Sequence, residues 1–466
     1  MIGGRCLAGH SARQQVYRRL VLGLLFVAGA ANATSDPFAG IAAKGGVAVG
    51  VLPRIERSPY RGAGLRGDFV PVYLYEGERV YLHSHSLGIK FGDSEAGRLN
   101  LFLRHRVDGH PADDIPPALA GMARREPGID AGLGGQVGGH WGIAFAEFLH
   151  DVSAASRGNE LRVGYKYLLR HGRFWLRPHV VLSLRDADLN GYYYGVRAEE
   201  ARPGRAAYPV DSGVVAELGL YAAYQLSARW RILAGATVAQ LPRTVRHSPI
   251  VEHPTLRTVH LGALYDLSPA PEAWAAKRPL FARAFYGASS GCDVLPIVTL
   301  RCTSTHTEDK TSVVGFEIGR PFIEGLNGWP LDLAGFVGLI QHKERGFQPD
   351  FWQINAYLKA YFYGFPWDAR LRTRFGLGVG LSYAKEPPFT EQRDQASRGR
   401  GTSRLLNSFD PTADFSVGDL LGVKALRATY AGVGISHRSG IFGSSQLLHN
   451  VNGGSNYIYG YVETSF

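Results

Sequence analysis

The sequence predicts an all-β protein whose antiparallel strands are long enough to cross a membrane as β-barrels. Gly accounts for 59 of the 466 residues, and 23 Tyr and 23 Phe accompany it, a composition typical of strands and turns. Beyond the N-terminal segment, the sequence has no run of about 18 apolar residues, which argues against membrane-spanning helices. Several segments alternate apolar and polar residues over about ten positions, which is the length of a transmembrane strand.

The first 33 residues have the pattern of a secretory signal peptide. Arg18 and Arg19 precede a short apolar stretch, residues 20–28, and Ala31-Asn32-Ala33 provides a cleavage site. Removal of this segment lowers the formal net charge from +11 to +7, because it has four Arg and no acidic residue. We therefore expect an exported protein without a nucleic-acid partner.

The clearest strand pair is a hairpin around His171-Gly172. Leu161–Arg170 and Phe174–Leu184 each place apolar side chains on one face, and the return strand places Arg177 and His179 on the other. Such a hairpin is typical of a barrel wall between lipid and a polar lumen. Three further pairs have the same pattern: Val214–Leu226 with Arg229–Leu241, Phe351–Tyr363 with Leu371–Tyr383, and Lys424–His437 with Tyr457–Phe466.

The last strand, Tyr457–Phe466, ends on an aromatic residue. A terminal strand with a C-terminal aromatic resembles the signal by which bacterial outer-membrane proteins reach the barrel-assembly machinery, which makes that machinery an expected partner. In lipid an open sheet edge would leave backbone groups without hydrogen bonds, so the sheet must close. We therefore expect the protein in the outer membrane of a Gram-negative cell.

A proline-rich segment, residues 269–280, separates two halves. It has three Pro, which interrupt a strand ladder and indicate a linker. Residues 34–268 have about 10–12 strands and residues 281–466 about eight, both suitable for closed barrels. One barrel of about twenty strands is the alternative.

The first half has motifs that are spread over its whole length. They are Gly46–Pro53, Pro71–Tyr75, Tyr192–Val196, Tyr208, Gly213, Leu218–Leu220, Trp230 and Ser248–Val251. Over about 45–267 the chain resembles the MipA/OmpV family of outer-membrane proteins. The resemblance implies a scaffold for murein-remodelling enzymes, an adhesin or a small-solute pore. We expect the run Tyr192-Tyr193-Tyr194 to form an interfacial girdle at a strand end.

The second half contains the one constellation that suggests catalysis. Strand alternation places His437 and Ser439 on the apolar face with Val433 and Ile435, and the same parity on the last strand adds Asn456. If the C-terminus is periplasmic, these side chains meet at the outer leaflet. A hydroxyl, an imidazole and a group that orients the imidazole are the parts of a nucleophilic site.

The stretch from His437-Arg438-Ser439 to Asn452-Gly453-Gly454-Ser455-Asn456 resembles the PagL-type lipid A deacylases, loosely over 280–466. The resemblance implies an acyl-ester hydrolase of lipopolysaccharide with Ser439 as nucleophile and His437 as base. Two features depart from that family, since Gly440 replaces an Asn and Asn456 stands where an acidic residue is expected. A slower enzyme and an inactive one both stay open, as does a non-catalytic scaffold or pore.

The remaining predictions concern the two cysteines, cofactor and metal sites, and one loop. Cys292 and Cys302 form an even pair in an exported protein and predict a disulfide that closes a short loop. The sequence predicts no cofactor and no metal site, because the two thiols lack companion ligands at suitable spacing. The segment Gln392–Ser403 is rich in Arg, Gly and Ser and predicts a mobile extracellular loop whose Arg side chains contact lipid phosphates.

Overall fold

The computed structural model describes residues 46–91, 97–110, 115–267, 279–305, 307–441, 445, 448 and 451–466. Within them it contains two closed antiparallel barrels, of twelve and eight strands. This confirms the all-β prediction and excludes a single barrel of about twenty strands. The predicted signal peptide and most of the predicted linker lie outside the described residues. No helix of the described part is long and apolar enough to span a membrane.

The first barrel is built from strands β1 to β13. They are β1 (Val47–Arg57), β2 (Leu65–Glu76), β3 (Val80–His83), β4 (Ser86–Phe91), β5 (Gly97–His105), β6 (Ile129–Gly139), β7 (Gly142–Asp151), β8 (Asn159–Lys166), β9 (Leu169–His171), β10 (Phe174–Arg185), β11 (Gly213–Gln225), β12 (Trp230–Gln240) and β13 (Thr255–Asp266). Strand β9 continues β8 along β10, and β13 pairs with β1 to close the ring.

The second barrel is built from strands β14 to β21. They are β14 (Phe281–Ser290), β15 (Ser312–Ile323), β16 (Leu331–Lys343), β17 (Phe351–Phe362), β18 (Thr373–Ala384), β19 (Leu405–Ser416), β20 (Thr429–Ser439) and β21 (Gly454–Ser465). The ring closes where β14 pairs with β21. Connections of the two barrels include the helices α1 (Ala187–Tyr194), α2 (Arg243–Arg246), α3 (Val294–Val298), α4 (Phe389–Ser397) and α5 (Val417–Leu421).

Alternation along each strand makes the outer wall apolar and the lumen polar. On β15, Phe316 and Ile318 are exposed on the outside, whereas Glu317 between them is buried in the lumen. Because successive side chains of a strand point to opposite faces, this pattern is what lipid outside and polar groups inside require.

Charged and aromatic side chains fill the lumen of the second barrel. Arg283 donates from Nε to Glu317 at 2.7 Å and from a terminal nitrogen to Asp410 at 3.0 Å. Lys359 also pairs with Asp410, and the Tyr357 hydroxyl donates to Glu317 at 2.8 Å. This eight-stranded ring is therefore a packed structure rather than a channel.

The longest connections of the second barrel join β14 to β15, β18 to β19, and β20 to β21. Outer-membrane barrels keep short turns on the periplasmic side, so the barrel end that has these three long connections is extracellular. The predicted mobile segment Gln392–Ser403 lies here, and that prediction is wrong for its first half, which belongs to α4. Glu391 of α4 is buried and accepts a hydrogen bond from Arg438 at 3.1 Å, which fixes the helix over the barrel end.

Two other local predictions need correction. The strand predicted from Lys424 begins only at Thr429, because residues 424–426 form a short 3-10 turn. The predicted tyrosine girdle is instead the end of α1, which Asp186 caps by accepting from the Leu189 amide at 2.9 Å. Tyr193 and Tyr194 are buried in an apolar cluster, formed mainly by the connections at one end of the first barrel, which we call the plug.

Candidate functional site

The extracellular ends of β20 and β21 bring together the three predicted site residues. His437 pairs directly with Asn456 in the β20–β21 ladder, and Ser439 pairs with Gly454. Arg438, which lies between His437 and Ser439, points into the lumen. His437, Ser439 and Asn456 therefore share the outer face of the wall, as alternation requires.

A short chain of hydrogen bonds orients the imidazole. His437 Nδ1 lies 2.6 Å from Asn456 Oδ1, and Asn456 Nδ2 donates to the Cys292 carbonyl at 2.9 Å. A carbonyl can only accept, so the amide nitrogen must face Cys292 and the amide oxygen must face the ring. His437 then carries its proton on Nδ1 and its lone pair on Nε2, which is the atom that would act as a general base.

The Cys292 carbonyl belongs to a loop closed by the predicted disulfide, Cys292–Cys302. We call residues 291–302 the disulfide loop. Ile297 and the two cysteines pack against Ile435 and Ile458, which face outward on β20 and β21. The loop therefore lies against the outer wall, directly beside His437.

Asp293 is a neighbour of the site that the sequence analysis missed. It follows Cys292 in the disulfide loop, one residue after the carbonyl that holds Asn456 beside His437. The sequence did not indicate that Asp293 is near His437, because the two residues are distant in the chain and come close only when the loop folds against the wall.

Ser439 is held near the imidazole without contacting it. Its Oγ accepts from the Ile441 amide at 3.1 Å, and among the described residues no hydrogen bond joins it to His437. Nucleophile–base contacts are often long in a substrate-free site. Both side chains are partly exposed on the outer wall, so a lipid can approach them.

The structure explains why Gly440 follows the serine. A Cβ at position 440 would lie 1.8 Å from the Val451 carbonyl oxygen, which is far inside any real contact. The Gly440 amide is also engaged, since it donates to the Gly453 carbonyl at 3.0 Å. An Asn therefore cannot occupy this position in the observed packing.

Asn407 is a second residue that the sequence analysis missed. It pairs with Ser439 across the β19–β20 ladder, so the two side chains are neighbours on one face. Its Oδ1 accepts from the Tyr73 hydroxyl of β2 at 2.8 Å, which places the wall of the first barrel beside the site. Only the strand register reveals this proximity.

The first barrel has a polar cavity of about 240 Å³ beneath its apolar plug. Arg106 bridges Asp130 at 2.6 Å and Glu160 at 2.7 Å within its wall. Arg185 adds contacts to Glu160 and to Asp108. The cavity is lined by cations and carboxylates in similar number, which suits a small polar solute.

The described residues contain no group of three or more His, Cys, Asp or Glu that could hold a metal ion.

Comparisons with known proteins concern mainly the first barrel. The family model of MltA-interacting protein MipA matches residues 46–267. YiaT of Escherichia coli O157:H7 is 28% identical over 220 residues, which is 46% of this chain and 89% of YiaT. Outer membrane protein OmpV of Vibrio cholerae is 28% identical over 179 residues, 38% of this chain and 70% of OmpV. MltA-interacting protein of Escherichia coli K12 is 24% identical over 230 residues, 49% of this chain and 93% of that protein.

Solved structures give a weaker comparison. The ferric-catecholate import receptor Fiu of Escherichia coli K12 aligns with 90% of this chain and 81% of its own, at 10% identity and a TM-score of 0.23. A TM-score this low does not support a shared fold, so the fold is assigned from the strand pairing alone. Residues 46–267 are thus similar to the MltA-interacting protein MipA family, and the chain is an outer-membrane β-barrel protein.

Proposed function

We propose that the second barrel hydrolyses an acyl ester of outer-leaflet lipid, with lipid A of lipopolysaccharide as the substrate. Ser439 is the nucleophile, His437 the general base, and Asn456 the residue that orients the imidazole. The observation that carries the proposal is the hydrogen-bond chain from His437 through Asn456 to the Cys292 carbonyl.

The proposed reaction is acyl transfer through a covalent intermediate. Ser439 Oγ attacks the ester carbonyl carbon while His437 Nε2 accepts the hydroxyl proton. The ester C–O bond then breaks, and His437 returns the proton to the leaving sugar oxygen. Water, deprotonated by the same imidazole, hydrolyses the acyl-serine ester and releases the carboxylic acid.

Two neighbours assist this reaction in the proposal. An amide orients the imidazole but cannot stabilise the imidazolium by charge, and the carboxylate of Asp293 supplies that charge from the disulfide loop. The Gly440 amide has one hydrogen, which is already bonded to Gly453. The amide of Asn407, opposite Ser439, donates one hydrogen to the Ser408 carbonyl at 3.2 Å, and its second hydrogen is the candidate donor to the developing oxyanion.

Mass spectrometry of lipid A from cells that express the full chain tests the proposal. Wild type and Ser439→Ala are compared with Ser436→Ala, a matched control on the same strand that changes the opposite face. Lipid A from cells with wild type or Ser436→Ala is expected to lack one acyl chain, whereas lipid A from cells with Ser439→Ala is expected to keep it. Identical lipid A in all three strains would contradict the hydrolase.

We also propose that the first barrel binds a murein-remodelling enzyme on the periplasmic side. The support is the match to MltA-interacting protein over 93% of that protein's length. Purified MltA is expected to bind the immobilised full chain, and Ser439→Ala to bind equally well because the two roles use different barrels. If MltA binds neither wild type nor Ser439→Ala, the proposed scaffold role is contradicted.

A third role, that of a pore or adhesin, has less support. The apolar plug covers the first barrel, and the Arg283 cluster fills the second. The full chain is therefore expected to show no conductance in planar bilayers, and open-channel steps would contradict the closed lumens.

We further propose the strand that ends in Phe466 as the signal for the barrel-assembly machinery. Phe466 exchanges two backbone hydrogen bonds with Leu280, at 2.9 and 3.0 Å, and its side chain is exposed. Deletion of Phe466 is expected to lower the amount of folded protein in the outer membrane, measured by heat-dependent gel mobility. An unchanged amount would argue against this signal.

A further inference from the structure

The disulfide loop has an apolar middle and charged ends. Asp293 and Arg301 flank the seven uncharged residues Val294–Leu300. Within them Leu295 is 72% exposed and Leu300 is 81% exposed, the largest exposures of aliphatic side chains in the described part of the chain. Water is an unfavourable environment for so much apolar surface in one short loop.

The loop folds along the wall rather than away from it. It begins after Ser290, which pairs with Asn456 at the extracellular end of the barrel. Yet Ile297 packs against Ile435 and Ile458, a pair that lies two residues further into the strands. Cys292 and Cys302 belong to the same cluster, so both the ends and the middle of the loop lie along the wall at the level of this pair.

The surface that the loop touches continues into the apolar wall. Val433 and Val462 follow Ile435 and Ile458 on the same outward face, and both are exposed. The exposed outer wall of an outer-membrane barrel contacts lipid hydrocarbon. The exposed side chains of the disulfide loop therefore extend an established lipid-facing surface.

We infer that the disulfide loop inserts Leu295, Val298 and Leu300 among the outer-leaflet acyl chains and forms an acyl-binding surface beside His437. The charged ends of the loop then lie at the level of the headgroups. The binding of a substrate acyl chain rests on the proposed hydrolase, whereas the insertion does not. Because the same loop positions Asn456 through the Cys292 carbonyl, contact with the acyl chain and orientation of the imidazole share one structural element.

Fluorescence quenching by lipids tests the insertion. Leu295→Trp and Leu300→Trp are compared with Glu308→Trp, an exposed position in the same β14–β15 connection that lies outside the disulfide loop. In vesicles of phosphatidylcholine brominated on the acyl chains, the added Trp at 295 and 300 is expected to be quenched, and that at 308 is not. Quenching that is equal at all three positions, or absent at 295 and 300, would overturn the inference. Heat-dependent gel mobility identifies variants that fail to fold. Each of these is replaced by Leu295→Phe or Leu300→Phe, and insertion is then measured by crosslinking to phosphatidylcholine that has a photoactivatable group on its acyl chain.

Chain-length selectivity tests the acyl-binding surface. Leu295→Ser/Leu300→Ser is expected to lower kcat/KM for a long-chain 3-hydroxyacyl ester by roughly tenfold or more, because it removes apolar contact area. The value for a short-chain p-nitrophenyl ester is expected to stay within about twofold. Equal losses for both esters would refute the acyl contact. If wild type hydrolyses neither ester, the proposed hydrolase fails, and the quenching result decides the insertion separately.

Discussion

The Arg283 cluster offers a quantitative test of how the second barrel is stabilised. Arg283 is fully buried and is the shared partner of Glu317 and Asp410. In Arg283→Met, Asp410 keeps its pair with Lys359, whereas Glu317 keeps, among the described residues, only the hydroxyl of Tyr357. Removing one partner of a buried ion pair costs about 3–5 kcal/mol, because the other charge is left without compensation. We expect a loss of that size in the free energy of unfolding.

Urea unfolding of the full chain refolded in detergent micelles measures this loss. The double variant Arg283→Met/Glu317→Gln is expected to recover most of the stability, since it removes the uncompensated carboxylate. Arg104→Met is a matched control in the first barrel, where Arg104 pairs with buried Glu147 at 2.9 Å, and it is expected to shift a different transition. A loss below about 1 kcal/mol, typical of an exposed pair, or a double variant no more stable than the single one, would refute the reasoning.

Three further predictions concern the site and the plug. Asn456→Leu is expected to lower kcat by roughly 10²-fold or more with little change in KM, because the imidazole loses its tautomer and orientation; an unchanged kcat for ester hydrolysis would contradict this. Gly440→Ala places a methyl group against the Val451 carbonyl and is expected to destabilise the chain by about 1–3 kcal/mol, with faster chymotrypsin cleavage between β20 and β21, where the sequence has Leu447 and Leu448; wild-type resistance would contradict it. In the plug, burial favours the neutral form of Glu200, but hydrogen bonds from Arg125 and from backbone amides outweigh it and lower the pKa of Glu200 from 4.5 to about 2. Its stabilising contribution is complete above about pH 4.5 and is lost as the pH falls towards 2. In thermal unfolding, wild type is therefore expected to be more stable than Glu200→Gln by on the order of 3 kcal/mol at neutral pH, and this difference is expected to disappear between pH 4.5 and 2. A difference that does not change with pH would contradict it.

Strand alternation predicted the barrel walls because lipid and a polar lumen impose opposite demands on the two faces. The hairpin around His171-Gly172 is observed as β8, β9 and β10, with Arg177 and His179 buried inside. The connections were harder to predict. The tyrosine run and Gln392–Ser403 were assigned from composition, whereas their conformations depend on a capping Asp186 and on a buried partner for Glu391.

The same limit applies to the candidate site. Parity along two strands was enough to place His437 and Asn456 on one face, because each residue's face follows from its strand alone. Asn407 and Asp293 could not be found in this way. Asn407 depends on the register of a third strand, and Asp293 depends on how a disulfide-closed loop folds against the wall.

The position of Asn456 links the site to closure of the barrel. Strand β21 forms the seam of the ring, and within it Asn456 pairs with Ser290 of β14 on one side and with His437 of β20 on the other. The Cys292 carbonyl, which orients the amide, follows Ser290 directly after the end of β14. The pair with His437 joins two consecutive strands, but the contacts with Ser290 and with the Cys292 carbonyl require the first and last strands to be joined. In an open or partly assembled sheet the amide of Asn456 therefore lacks the partner that fixes its orientation towards the imidazole. The proposed hydrolase is therefore active only after the strand that ends in Phe466 has closed the barrel in the outer membrane.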